Sequence, residues 1–117
     1  MKKPSICFDK SIEFSLAIIK CTSRIAKEKH EYTMTNQILR SGTSIGANIR
    51  ESEHAQSKAD FIHKLSIALK EANETEYWLD LLYETKYVSE SEFQYIKPKV
   101  IEILKILVSI INTSKGK

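Results

Sequence analysis

Turn-forming residues are scarce in this chain of 117 residues, which carries three glycines and two prolines. A β protein needs such punctuation at every hairpin, so the scarcity excludes an all-β fold and leaves an all-α one. Cysteine is nearly absent as well. Cys7 and Cys21 fall on what reads as one helix, about 21 Å apart along its axis, and cannot bridge within the chain. Two such thiols, with no cluster that could hold zinc, point to a reducing compartment. Long apolar runs are missing, since none approaches the roughly 18 residues of a membrane span. Asp9, Lys10 and Glu13 follow closely on Lys2 and Lys3, so no apolar region of signal-peptide length is present either. A cytoplasmic protein with no membrane partner is expected. Nor does one sign of charge dominate: 18 basic against 15 acidic residues give a net charge of +3, below the strongly basic balance of dedicated nucleic-acid binders. There is no glycine-rich phosphate loop, and no cofactor is expected.

What is present is helical periodicity. At 42% hydrophobic residues the chain is long enough for one core, and residues 1–117 read as a single domain. A first helix runs from about Asp9 to His30. It has Phe14, Ile18, Cys21 and Ile25 on one apolar face, and Phe8, Ile12, Leu16, Ile19 and Ala26 on a second. A second helix starts near Thr33, read as its N-cap, and ends at Ser52 or Glu53. Ser57 with Asp60 reads as a variant capping box that opens a third helix, which carries Phe61, Leu65, Ala68, Ala72, Leu79 and Leu82 on one face and ends near Lys86. Ser89 with Glu92 reads as a full capping box for a fourth helix to about Asn112. Pro98 falls inside it and predicts a kink or a break. Short connections between four such helices predict an antiparallel up-down-up-down four-helix bundle.

The fourth helix also bears on assembly. From Val100 to Ile111 its non-aliphatic residues are Glu102, Lys105 and Ser109, a single narrow polar stripe. A helix apolar over most of its circumference needs cover on several sides, and so does a first helix with two apolar faces. Self-association is expected.

The segment Gln37 to Glu51 is the most distinctive. Met34, Ile38, Gly42, Ile45 and Ile49 form a core stripe, and Gln37, Ser41, Ser44, Asn48 and Glu51 a polar one beside it. Gly42 and Gly46 leave a smooth strip for close approach of another helix, since each glycine costs a helix roughly 1 kcal/mol relative to alanine and close packing would offset that.

Gln37, Arg40, Ser44, Ile45, Ala47, Asn48, Ile49 and Glu51 resemble the signature of the 23S rRNA intervening-sequence proteins, approximately Gln-Ile-x-Arg-Ser/Ala-x-x-Ser-Ile-x-Ala-Asn-Ile-x-Glu-Gly. Ser52 stands at the final glycine. The resemblance continues through Phe61 to Ala68 and covers essentially the whole chain. It implies an antiparallel four-helix bundle that associates as a ring-like homopentamer. The family is also similar to accessory proteins of diversity-generating retroelements, pentameric bundles that bind nucleic acid and a reverse transcriptase, and by that analogy RNA, DNA or a protein partner becomes a candidate ligand.

Lys20, Arg24 and Lys27 lie on a third stripe of the first helix, and the antiparallel neighbour brings Arg40 toward the same end. These four are the candidate nucleic-acid-binding residues, and their contacts would fall on phosphate rather than on bases. The ordinary reading of cations at this spacing is a solvated helix face. An alternative basic cluster joins Arg50, Lys58 and Lys64 to the terminal Lys115 and Lys117. Against both stands an acidic interval, Glu71, Glu74, Glu76, Asp80, Glu84, Glu90 and Glu92, opposed locally by Lys86, which would repel phosphate. The aromatics Tyr77, Trp78, Tyr83, Tyr87, Phe93 and Tyr95 read as core and subunit contacts. Ser44 and Asn48 have no adjacent base and read as hydrogen-bonding across helices. An enzyme reading has one candidate: Glu51 and His54, with Asp60 and His63 across the loop, have the Glu-x-x-His type of spacing found in di-metal bundles. Such sites also need inward glutamates from the other two helices, whereas Glu13 and Glu102 fall on solvent stripes. A non-enzymatic oligomer with a binding or scaffolding role is the favoured expectation, and a metal-dependent enzyme the alternative.

Overall fold

The computed structural model of the protein describes residues 5–116, so Lys2, Lys3 and Lys117 lie outside the described residues. Four helices follow one another: α1 (Ser5–Lys29), α2 (Thr33–Ser52), α3 (Lys58–Glu84) and α4 (Glu90–Ser114). The connections are too short to cross the bundle, so successive helices run antiparallel. Packing is cyclic: α1 lies on α2, α2 on α3, α3 on α4, and α4 closes on α1 along the thinnest seam. α1 and α3 are therefore diagonal, as are α2 and α4, in a body of 45 × 21 × 19 Å.

The helix ends show which capping signals act. Ser57 accepts a hydrogen bond from the Asp60 amide at 3.0 Å, and Ser89 from the Glu92 amide at 3.2 Å. The reciprocal half of each box differs from expectation. Asp60 accepts from the amide of Gln56, and the Glu92 carboxylate turns away to Arg24. Thr33 is not the cap of α2. The Glu31 carboxylate accepts from the amides of Met34 and Thr35, both at 3.0 Å, and supplies the missing acceptor. α3 ends without glycine: Lys86 takes φ 68°, while the amides of Tyr87 and Lys86 reach back to the carbonyls of Leu82 and Tyr83, the pattern of a Schellman cap. Pro98 does not break α4, which continues through it as one helix.

The core is drawn from one stripe of each helix. Phe14, Ile18 and Ile25 of α1 meet Ile38, Ile45 and Ile49 of α2, Leu65, Leu79 and Leu82 of α3, and Ile103 and Leu107 of α4, all essentially inaccessible to solvent. Gly42 and Gly46 face α1 as their spacing predicts. A Cβ on Gly42 would lie 3.3 Å from Ile18, and one on Gly46 2.9 Å from the hydroxyl of Ser11. Helical glycine here thus admits a neighbouring helix that alanine would hold off. Buried hydroxyls are satisfied locally: Ser11 donates to the Phe8 carbonyl, and Thr22 to that of Ile18. Ser41, expected on a polar stripe, is fully buried, with its oxygen 2.8 Å from that of Thr75 in α3. Among the described residues no buried side-chain polar atom lacks a partner.

Candidate functional site

The second apolar face of α1 is left uncovered by the bundle. Ile12, Leu16 and Ile19 recur at helical spacing and are 45%, 62% and 43% exposed, with Ile6 near the start of the helix also exposed. Phe8 and Ala26 at the margins are partly buried, and the Arg50 guanidinium lies over the Phe8 ring at 5.2 Å. α4 is covered better than its composition predicts. Ile101, Leu104, Ile106 and Ile110 are half-buried between neighbouring helices, and Val108 is the exposed aliphatic residue. Leu69, Leu104 and Val108, with Asn73, Lys105 and Ser109, line a shallow groove between α3 and α4. Periodicity could not reveal this groove because its two walls come from different helices.

The candidate cations prove unequal. Arg24 bridges to Glu92 at 2.6 Å, reaches the Tyr87 carbonyl at 3.3 Å and lies 3.6 Å from Glu28. It ties α1 to the α3–α4 corner rather than presenting a free charge. Its partial burial opposes the charge, yet the pairing with Glu92 raises the pKa further. Arg40 does not join it: it pairs with Glu71 at 3.2 Å and with Glu74, on the α2–α3 side. Lys20 and Lys27 remain exposed and without an ion pair among the described residues. At the other end Lys64 is paired with Glu51 at 3.0 Å, while Arg50 and Lys58 carry no ion pair among the described residues.

The acidic interval is likewise not the open anionic surface that the sequence suggests. Lys97 of α4 bridges Glu76 at 3.0 Å and Asp80 at 2.6 Å, and Arg40 covers Glu71 and Glu74. Glu84 and Glu90 remain exposed and unpaired among the described residues. Glu13 and Glu102, placed on solvent stripes by spacing, join α1 to α4 through Lys99 at 2.6 Å and Lys10 at 3.2 Å. The hydrogen bond from Lys99, with its charge, holds the Glu13 carboxyl below its ordinary value. These partners are distant in sequence, so no local spacing announces them.

One further expectation is corrected. Ser44 and Asn48 do not bond across helices; Ser44 donates to the Arg40 carbonyl at 2.7 Å and Asn48 to that of Ser44 at 2.9 Å, both within α2. Ser41 makes the cross-helix contact instead. Of the six aromatics, Trp78, Tyr87 and Phe93 pack against the core as expected, partly buried. Tyr83 stacks on Phe93 at 4.1 Å, while Tyr77 and Tyr95 are 56% and 61% exposed.

The metal alternative is not assembled. Glu51, His54 and Asp60 line one shallow depression with Arg50, Gln56 and Lys64, but Glu51 is held by Lys64 and Asp60 caps the α2–α3 turn. Among the described residues no three His, Cys, Asp or Glu side chains gather to hold an ion. The two thiols are buried, and desolvation pushes Cys7 up to about 11 and Cys21 to about 12, which makes them poor nucleophiles near neutrality. No helix among the described residues is long and apolar enough to cross a membrane.

The fold has a close structural counterpart. A crystal structure from Bacteroides thetaiotaomicron, described as a protein with unknown function from the S23 ribosomal protein family, is 56% identical and superposes with a TM-score of 0.88, covering 90% of this chain and 97% of that one. No curated protein matches the chain. The family model for the 23S rRNA-intervening sequence protein matches residues 3–109. With the α2 signature, the four-helix bundle and a match over nearly its whole length, the chain belongs to the 23S rRNA-intervening sequence protein family.

Proposed function

We propose that this protein is a non-enzymatic, homo-oligomeric bundle that serves as a binding or scaffolding unit. The exposed stripe of Ile12, Leu16 and Ile19 carries this reading. Aliphatic side chains in a continuous row on one helix mark an interaction surface, because covering the half of each that is still exposed would contribute about 1 kcal/mol. Resemblance to ring-like family members supports five as the number of copies. A binding role fits a surface whose ionisable groups are engaged in cross-helix pairs rather than gathered in a cleft.

Light scattering coupled to size exclusion tests the assembly. The parent is expected as an oligomer at micromolar concentration, and Leu16→Glu with Ile19→Glu as a folded species of lower mass. A monomeric parent would sink the reading; a dimer or tetramer would keep the apolar interface and remove the number five.

Contact with phosphate backbones is a second reading. Arg24 and Arg40 are engaged by carboxylates, which favours the other end, where Arg50 and Lys58 stand exposed without an ion pair among the described residues, beside a depression that Glu51 and Asp60 share with His54 and Lys64. Titration of RNA and DNA at two salt concentrations should show weakly sequence-selective, salt-sensitive binding that Arg50→Glu with Lys58→Glu abolishes. Absence of binding at low salt by the folded parent leaves a protein-only scaffold.

A further inference from the structure

We infer that the groove between α1 and α4 binds a small amphiphilic carboxylate, a medium-chain fatty acid in its chemistry, with the alkyl chain laid along the seam and the carboxylate on Lys20. The α1–α4 seam is the thinnest in the bundle. Where Tyr95 and Ile96 of α4 come alongside, α1 offers the small side chains of Ala17 and Cys21, one turn apart, which fill the seam poorly. What remains is a cavity of about 690 Å³, open along one side, in the size range of ligand sites. Its floor is apolar, since Cys21 and Ile96 are buried and Ala17 is half-buried. Leu16 and Tyr95 stand exposed at its edges.

Charge sets the class of ligand. Cross-helix ion pairs bound the groove at both ends, Glu13 with Lys99 at one and Arg24 with Glu92 at the other. Both lining carboxylates and the lining guanidinium are therefore engaged. Lys20 is the charged lining residue that is exposed and without an ion pair among the described residues. A cationic ligand would find no free carboxylate here. A neutral apolar one would cover the seam and leave the ammonium group at its lip without a counter-ion, whereas a carboxylate supplies a charge-assisted hydrogen bond. Spacing sets the length. Glu13 and Lys20 stand two turns apart, about 10 Å along α1, the reach of an extended octanoate chain lying over Ala17 and Ile96. Leu16 belongs to the outer stripe as well, but Ala17, Cys21, Tyr95 and Ile96 do not, so the groove does not depend on the oligomeric reading.

Calorimetric titration of the full chain with octanoate tests the site, with octan-1-ol and octylamine as probes that keep the chain and change the head group. Octanoate is expected to bind once per protomer and about tenfold more tightly than octan-1-ol, and octylamine not to bind. Ala17→Leu puts a good helix former into the floor of the groove and should abolish binding, with circular dichroism showing the helices intact. Lys20→Gln should bring octanoate down to the affinity of octan-1-ol, and Lys20→Arg should keep it. A parent that takes up no octanoate at millimolar concentration would overturn the site. So would uptake of several molecules per protomer, or binding that a folded Ala17→Leu protein retains. Octanoate binding indifferent to Lys20→Gln would overturn it too, and that arm decides the question if Ala17→Leu fails to fold. Binding is counted per protomer, so a monomeric parent would remove the oligomeric reading and leave this test as it stands.

Discussion

Replacing Gly46 by alanine sets two opposed effects against each other. Relieving the glycine inside α2 favours the helix by roughly 1 kcal/mol. The new methyl group, however, would sit 2.9 Å from the Ser11 hydroxyl and 3.5 Å from its Cβ. Ser11 is fully buried and its hydroxyl already donates to the Phe8 carbonyl at 2.6 Å, so a short side chain has nowhere to swing. Overpacking of a core typically costs about 1–3 kcal/mol, which leaves a net loss of up to about 2 kcal/mol. For a domain of this size each kcal/mol moves the melting temperature by about 4 °C. Gly42→Ala is the milder case: its Cβ would meet Cγ2 of the buried Ile18 at 3.3 Å, a few tenths of an ångström too close, so the cost and the helix gain should nearly cancel and leave stability near the parent's. Ser11→Ala should rescue Gly46→Ala, because without the hydroxyl the contact left is the ordinary one at 3.5 Å. Urea unfolding of the single and double variants at one fixed protomer concentration measures the coupling. A Gly46→Ala protein more stable than the parent, or one that Ser11→Ala fails to rescue, would refute the close approach of α1 and α2.

Lys86 occupies a left-handed position, φ 68°, that glycine adopts at no steric cost, so Lys86→Gly should raise stability by about 0.5–1 kcal/mol; unchanged or lower stability in urea would contradict the cap geometry. Neither Cys7 nor Cys21 should react with a thiol reagent at pH 8 in the folded protein, whereas both should react at once in denaturant; prompt native labelling would contradict their burial and their shifts to about 11 and about 12. The hydrogen bond and charge of Lys99 lower the Glu13 carboxyl below its ordinary 4.5. This pair's stabilisation is therefore present above pH 4.5 and is lost as pH falls through the folded value. Parent and Glu13→Gln should differ at pH 7 and converge as pH falls through the lowered folded value, and a gap of constant size would refute the pairing.

Much of this architecture is legible in the sequence because it depends on local spacing. The buried stripe of α3, Phe61 to Leu82, lies in the core at every position named for it, and the glycine pair of α2 faces a helix. Ser57 and Ser89 cap the helices they precede. Local signals failed where a group had a second option. Thr33 lost the α2 cap to the nearby Glu31 carboxylate, and Glu92 left its own box for Arg24. Pro98 was accommodated in a continuous α4.

The candidate site was less legible, because charge on a helix says nothing about the neighbour it will meet. Arg24 and Arg40 read as free cations until folding set Glu92, Glu71 and Glu74 beside them, and Glu76 and Asp80 read as open acids until α4 supplied Lys97. The sequence by itself determined four helices, their core faces and their family, since periodicity, caps and the Gln37–Glu51 signature are local properties of the chain. Only the tertiary structure decided which charges are paired and which apolar stripe stays outside. Those outcomes depend on helix order and rotation, which bring together residues from different helices.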